Sequence, residues 1–133
     1  MLGLFPDSAL VDGADLMLGG TRAATLAEEF GTPLVVYCEQ TLRARARSLR
    51  AAVAGGHVAF GTKAFANVAV LRLLREEGIG ADVASSGELA FALAAGFRGE
   101  EIVVHGNNKD EAFLREAATE GATVVLDAPD EAA

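Results

Sequence analysis

Two lysines stand among nine arginines in this chain. A plain surface cation is therefore usually written here as Arg, and Lys63 and Lys109 invite a chemical reading. Lys63 ends the run His57-Val58-Ala59-Phe60-Gly61-Thr62-Lys63. As a strand, that run puts Val58, Phe60 and Thr62 on one face and Ala59, Gly61 and Lys63 on the other. The large residues suit packing against helices, and the small ones leave room beside the amine for something that is not protein. An amine held in such a pocket loses solvation, its pKa falls, and its neutral fraction attacks carbonyl compounds to form Schiff bases. The plainer reading is a lysine paired with a carboxylate at a strand end. Asp82, in Gly80-Ala81-Asp82-Val83-Ala84-Ser85-Ser86, is placed to be that partner on the next strand. The two readings are compatible.

The remaining chemistry-bearing residues have plainer uses. Ser85-Ser86-Gly87-Glu88 stands at a strand-to-helix turn and reads as helix capping. His57 begins its strand at the end opposite Lys63 and reads as structural. His105 ends a strand, where an imidazole can stack on a ligand or hydrogen-bond to one. Cys38 sits in an apolar run and reads as a small core residue. Arg43, Arg45, Arg47 and Arg50 share a helix with Leu42 and Leu49, the pattern of a solvated face. No His or Cys cluster has metal-ligand spacing.

The elements that must hold these groups alternate. After an irregular or short-strand lead-in from Asp7 to Gly20, Thr25–Phe30 reads as a short helix closed by Gly31. Leu34–Cys38 then reads as a strand buried on both faces. Helices follow over Thr41–Val53, Val68–Glu77, Ser86–Ala95 and Asp110–Glu120, and strands over His57–Thr62, Ala81–Ala84, Ile102–His105 and Thr123–Leu126. This rhythm, without two-residue hairpin turns, makes neighbouring strands parallel with helical crossovers. The fold class is α/β. Rhythm alone does not separate a doubly wound sheet from part of a (β/α)8 barrel, which needs about 250 residues.

Composition narrows the function classes. The 133 residues suit one domain. Apolar residues make 51% of the chain and charged ones 23%, which excludes a disordered or fibrous chain. A net charge of -8 disfavours phosphate backbones and anionic lipid, so neither nucleic acid nor membrane is an expected partner. The first twenty residues lack the basic start and apolar run of a secretion signal, and Cys38 has no second cysteine to pair with. The expected compartment is cytoplasmic.

Three motifs, read together, resemble a known family: Val58-Ala59-Phe60-Gly61-Thr62-Lys63-Ala64-Phe65-Ala66-Asn67, Gly80 to Leu89, and Ile102-Val103-Val104-His105-Gly106-Asn107-Asn108-Lys109. In this order they resemble the pyridoxal-phosphate-dependent decarboxylases built on an alanine-racemase-like barrel, and the His-Gly-Asn-Asn-Lys run is similar to that of the diaminopimelate decarboxylases. The resemblance implies the first part of a (β/α)8 barrel, about four βα units over residues 33–133, with residues 1–32 as a lead-in. It implies pyridoxal 5'-phosphate as cofactor, Lys63 as the Schiff-base lysine, and Asp82, His105 and Asn107 as cofactor-binding residues. The family's common form has Lys-Ala-Asn, whereas here Ala64, Phe65 and Ala66 separate Lys63 from Asn67. The implied reaction takes carbon dioxide from meso-diaminopimelate to give L-lysine. Decarboxylation of ornithine, arginine or carboxynorspermidine, or a non-catalytic pyridoxal-phosphate carrier, are the alternatives. In such proteins the phosphate loop, the carboxylate on the pyridine nitrogen, a β-rich domain and a cysteine segment donated across a homodimer come later. The chain alone is therefore expected to be inactive.

Overall fold

Glycines punctuate the first turns of the chain. Gly13, at φ +61°, lets β1 (Leu10–Asp12) turn back through a two-residue loop into β2 (Asp15–Leu18), and Gly19-Gly20 does the same into β3 (Thr21–Arg22). The pairings are antiparallel, Leu10 opposite Met17 and Leu18 opposite Thr21. The segment expected as an irregular or short-strand lead-in is thus a three-stranded meander, whose turn glycines directly adjoin the strands they join. Helix α1 (Ala23–Phe30) follows and ends at Gly31, as expected.

The computed structural model describes residues 2–53 and 55–132; Met1, Ala54 and Ala133, the last closing the expected barrel segment, lie outside the described residues. The chain divides into two compact units, Met1–Arg45 and Ala46–Ala133. In the first, Leu34–Cys38 departs from expectation. It belongs to no sheet, and Val35 is 78% exposed. A β-branched run suits a covered, pleated surface, yet it becomes a strand only where a neighbour completes its hydrogen bonds. Cys38 is half-buried rather than core, with its Sγ 3.1 Å from the Ser8 hydroxyl. That hydroxyl and the backbone and side chain of Thr41 hold the thiol below its ordinary pKa.

In the second unit β4 (Ala59–Gly61), β5 (Gly80–Val83), β6 (Ile102–Val104) and β7 (Thr123–Val124) form a four-stranded sheet in sequence order, every pair parallel. Helices α3 (Val68–Glu76), α4 (Ser86–Ala94) and α5 (Glu111–Glu120) make the connections, and α2 (Glu39–Ala52) precedes β4. Most expected boundaries hold to within two residues. In the strand leading to Lys63 the small difference matters. The strand stops at Gly61, and Thr62–Ala64 form a 3-10 turn.

Caps explain the helix starts. Asn67 accepts the N–H groups of Ala69 and Val70, Ser85 that of Glu88, and Asp110 that of Phe113. One face of the sheet is the core, where Ala81, Val83, Ile102 and Val104 are fully buried against Leu71, Leu89, Ala92 and Phe113. The arginines of α2 are not simply solvated. Arg43 pairs with Glu39, Arg45 with Asp7, and Arg47 makes a two-pronged bond to Glu77 at 2.6 and 2.7 Å.

Candidate functional site

The other face of the sheet carries Asp82 and His105, two of the candidate site residues. Because strand side chains alternate, burying Phe60, Ala81, Val83, Ile102 and Val104 against helices turns Ala59, Gly61, Asp82, Val103 and His105 the opposite way. Parallel pairing sets Gly61 level with Asp82, and Asp82 level with Val103. His105, two residues beyond Val103, therefore shares the face of Asp82 one step nearer the C-terminal edge.

At that edge the ring of His105 meets the Asp82 carboxylate. Nδ1–H donates to Oδ1, while the His105 backbone N–H donates to the Val83 carbonyl at 2.9 Å. Both side chains remain about one-third exposed. Gly61 lies beside the pair, and a Cβ there would sit in ordinary contact with Asp82 Oδ2, at 4.0 Å. The pairing expected between Lys63 and Asp82 is not formed. Asp82 is taken by His105, because the strand ends at Gly61 and the turn lifts Lys63 off the sheet. Lys63 is exposed rather than enclosed, and among the described residues it has no hydrogen bond or ion pair. Asn107 lies exposed in the loop after His105, and the exposed His57 precedes β4.

Two residues that support this turn were invisible as functional residues in the sequence. Thr62, fully buried beside Lys63, places its hydroxyl 2.6 Å from Glu88 Oε2 and 2.9 Å from the Asp82 carbonyl oxygen. The same Glu88 oxygen accepts the Ala84 N–H at 2.9 Å. Glu88 thus does more than cap α4: it ties the ends of β4 and β5 together under Lys63. The signal was the single polar residue on an otherwise apolar strand face. Thr62→Val keeps the shape but removes the one hydroxyl proton shared between the Glu88 carboxylate and the Asp82 carbonyl, so we expect a loss of about 1–3 kcal/mol, read from the urea midpoint.

Lys109 is the opposite of Lys63. Its side chain is fully buried and its ammonium is bound by Gly106, Asp127 and Glu131. Among the described residues no group of three His, Cys, Asp or Glu side chains is placed to hold a metal ion. No described helix is long and apolar enough to cross a membrane.

A free amine, a carboxylate–imidazole pair and a small-residue face thus gather at the C-terminal edge of a parallel sheet, where barrel folds carry their sites. Residues 39–133 match the family described as pyridoxal-dependent decarboxylase, pyridoxal binding domain. The chain belongs to this family. Within it, the chain is 48% identical over 106 residues to a diaminopimelate decarboxylase of Bacillus subtilis, covering 77% of this chain and 24% of that protein. It is 42% identical over 130 residues to one of Actinosynnema pretiosum, covering 97% and 30%. The crystal structure of the M. jannaschii diaminopimelate decarboxylase in complex with L-lysine superposes with a TM-score of 0.81 at 28% identity, over 94% of this chain and 31% of that one. The chain spans under a third of these relatives, and its parallel sheet is part of such a barrel.

The residues present suit the family's cofactor, which offers an aldehyde. Of the two lysines that follow the strand ends on this edge, Lys109 is bound by Gly106, Asp127 and Glu131, whereas nothing among the described residues occupies Lys63.

Proposed function

We propose that this chain supplies the lysine-bearing part of a pyridoxal-phosphate-dependent decarboxylase acting on meso-2,6-diaminopimelate, with L-lysine and carbon dioxide as products. The observation that carries the reading is the contrast between the two lysines: Lys63 is exposed at the C-terminal edge with no partner among the described residues, while Lys109 is spent inside the protein. Pyridoxal phosphate, when bound, supplies a ring that takes up the electrons left behind as carbon dioxide departs.

In this reading Lys63 holds the cofactor through its ε-amine. The Thr62–Glu88 tie fixes the turn that presents that amine. Asp82 keeps the His105 ring in one orientation, so that its second nitrogen faces the site, and Asn107 offers an amide from the following loop. Residues 33–133 form the barrel part and 1–32 the lead-in. Cytoplasmic location and homodimeric assembly belong to the same proposal, which the high identity to named diaminopimelate decarboxylases supports over ornithine or arginine as substrate.

The test is chemical. Incubating the chain with pyridoxal phosphate, reducing with borohydride and mapping the peptides should place the label on Lys63. Lys63→Ala should remove it. Label on Lys109, or on the N-terminus alone, would defeat the assignment.

A further inference from the structure

We propose that Lys109 is a positioning residue for the Asp82–His105 pair: its buried ammonium draws the loop after β6 and the segment after β7 together, and so fixes the imidazole. The inference rests on the reading of that pair as part of the cofactor end, but it concerns a residue to which that reading gives no part.

An ammonium has three donors, and here three acceptors meet it. Lys109 Nζ lies 3.1 Å from Asp127 Oδ2 and 3.1 Å from Glu131 Oε2, and it also donates to the Gly106 carbonyl. The carboxylates are arranged beforehand, because the Asp127 N–H donates to Glu131 Oε2 at 2.8 Å. Three acceptors converging on a compact point suit an ammonium better than the planar fork of Arg, which accounts for a lysine in a chain that otherwise prefers Arg. Burial pushes the Lys109 ammonium toward losing its proton, and the hydrogen bonds and charges of Glu131 and Asp127 outweigh that, holding its pKa above the ordinary lysine value.

The consequence runs back along four residues. Gly106 sits at φ +117°, open only to glycine, and this turns its carbonyl toward the ammonium. A Cβ at Gly106 would lie 3.5 Å from the Cβ of Ala84, so the loop is seated on the end of β5. His105 is therefore held on both sides, by Val83 and Asp82 before the glycine and by Lys109 after it. On the far side Asp110 caps α5 through the Phe113 N–H at 2.8 Å, which anchors the residue next to Lys109. Without the ammonium, the Gly106 carbonyl loses its partner and the glycine is free to rotate, taking the ring from Asp82.

The chain has two histidines, and His57 is exposed, so imidazole resonances report His105 against an internal reference. In the full chain with 15N-labelled histidine and no cofactor, His105 should show a protected ring N–H that Asp82→Asn removes. Lys109→Met should lose that signal or speed its exchange at least about tenfold, with His57 and the far-UV circular dichroism unchanged. An unchanged His105 signal in a folded Lys109→Met overturns the proposal. Should Lys109→Met fail to fold, Glu131→Gln gives the reading: it keeps the ammonium but weakens one partner, and a faster-exchanging His105 N–H supports the proposal while an unmoved one overturns it. A borohydride label that misses Lys63 would count against the cofactor reading alone, since the His105 signal is measured without cofactor.

Discussion

Lys63→Ala should abolish carbon dioxide release from meso-diaminopimelate when this chain replaces the matching segment of the Bacillus subtilis relative. The expected loss is at least about a thousandfold in kcat, because no other amine on that edge can take over a covalent role. Lys109 is the second lysine of the chain, and it is enclosed by three acceptors. Lys63→Arg separates charge from chemistry. Arginine keeps the cation but stays protonated at any working pH, so it has no neutral amine to offer a carbonyl. Both variants should therefore fall equally far. A Lys63→Arg chimaera retaining a tenth or so of the parent rate would mean that the residue acts through its charge, and the covalent assignment would fail. The unsubstituted chimaera is the reference for both, and its activity tests whether the edge residues of this chain serve the relative's reaction.

Legibility in the sequence followed the range of the interactions. Strands β5 and β6 could be read because burial against helices on one face leaves fully apolar positions at Ala81, Val83, Ile102 and Val104, a local signal. Alternation also assigned the two faces of β4 correctly, with Phe60 and Thr62 toward the core. It then overran by treating Lys63 as the next strand residue, since a 3-10 turn leaves no mark in a pattern of period two. The Thr62–Glu88 tie joins residues 26 apart, and the Lys109–Asp127 pair residues 18 apart. Neither is visible without the sheet that brings the strand ends together. The apolar run Leu34–Cys38 failed in the opposite sense: composition promised a buried strand, and the missing ingredient is a hydrogen-bonding neighbour, which composition never specifies. The meander at Leu10–Arg22 was legible in principle from its glycine turns, but its strands of two to four residues are too short for alternation to register.

Gly99→Ala should be among the most damaging small substitutions in the chain. Gly99 opens the 3-10 turn Gly99–Glu101 that delivers the chain into β6, and it is packed against the last turn of α5. A Cβ there would sit 2.6 Å from the Glu120 carbonyl carbon and 2.7 Å from the carbonyl carbon of Gly121, with the Glu120 oxygen closer still. Every atom in the way is backbone, so no side chain can swing aside. Relief requires the end of α5 and the start of β6 to part, which pulls on Ala122 and β7 as well as on Ile102. We expect a cost of at least about 3 kcal/mol, at the upper end for overpacking, seen as a lower urea midpoint with an unchanged slope. Gly87→Ala is the control. Gly87 lies in the first turn of α4, where a Cβ would meet nothing nearer than the Ser85 hydroxyl at 4.0 Å. Helix propensity there favours alanine by up to about 1 kcal/mol, so this variant should be neutral or slightly more stable. Because Gly99 and His105 lie at opposite ends of the same short strand, a folded Gly99→Ala chain should also show a displaced His105 resonance, and Gly87→Ala should not. Equal stability of the two variants would mean that α5 and β6 are less tightly apposed than these distances require.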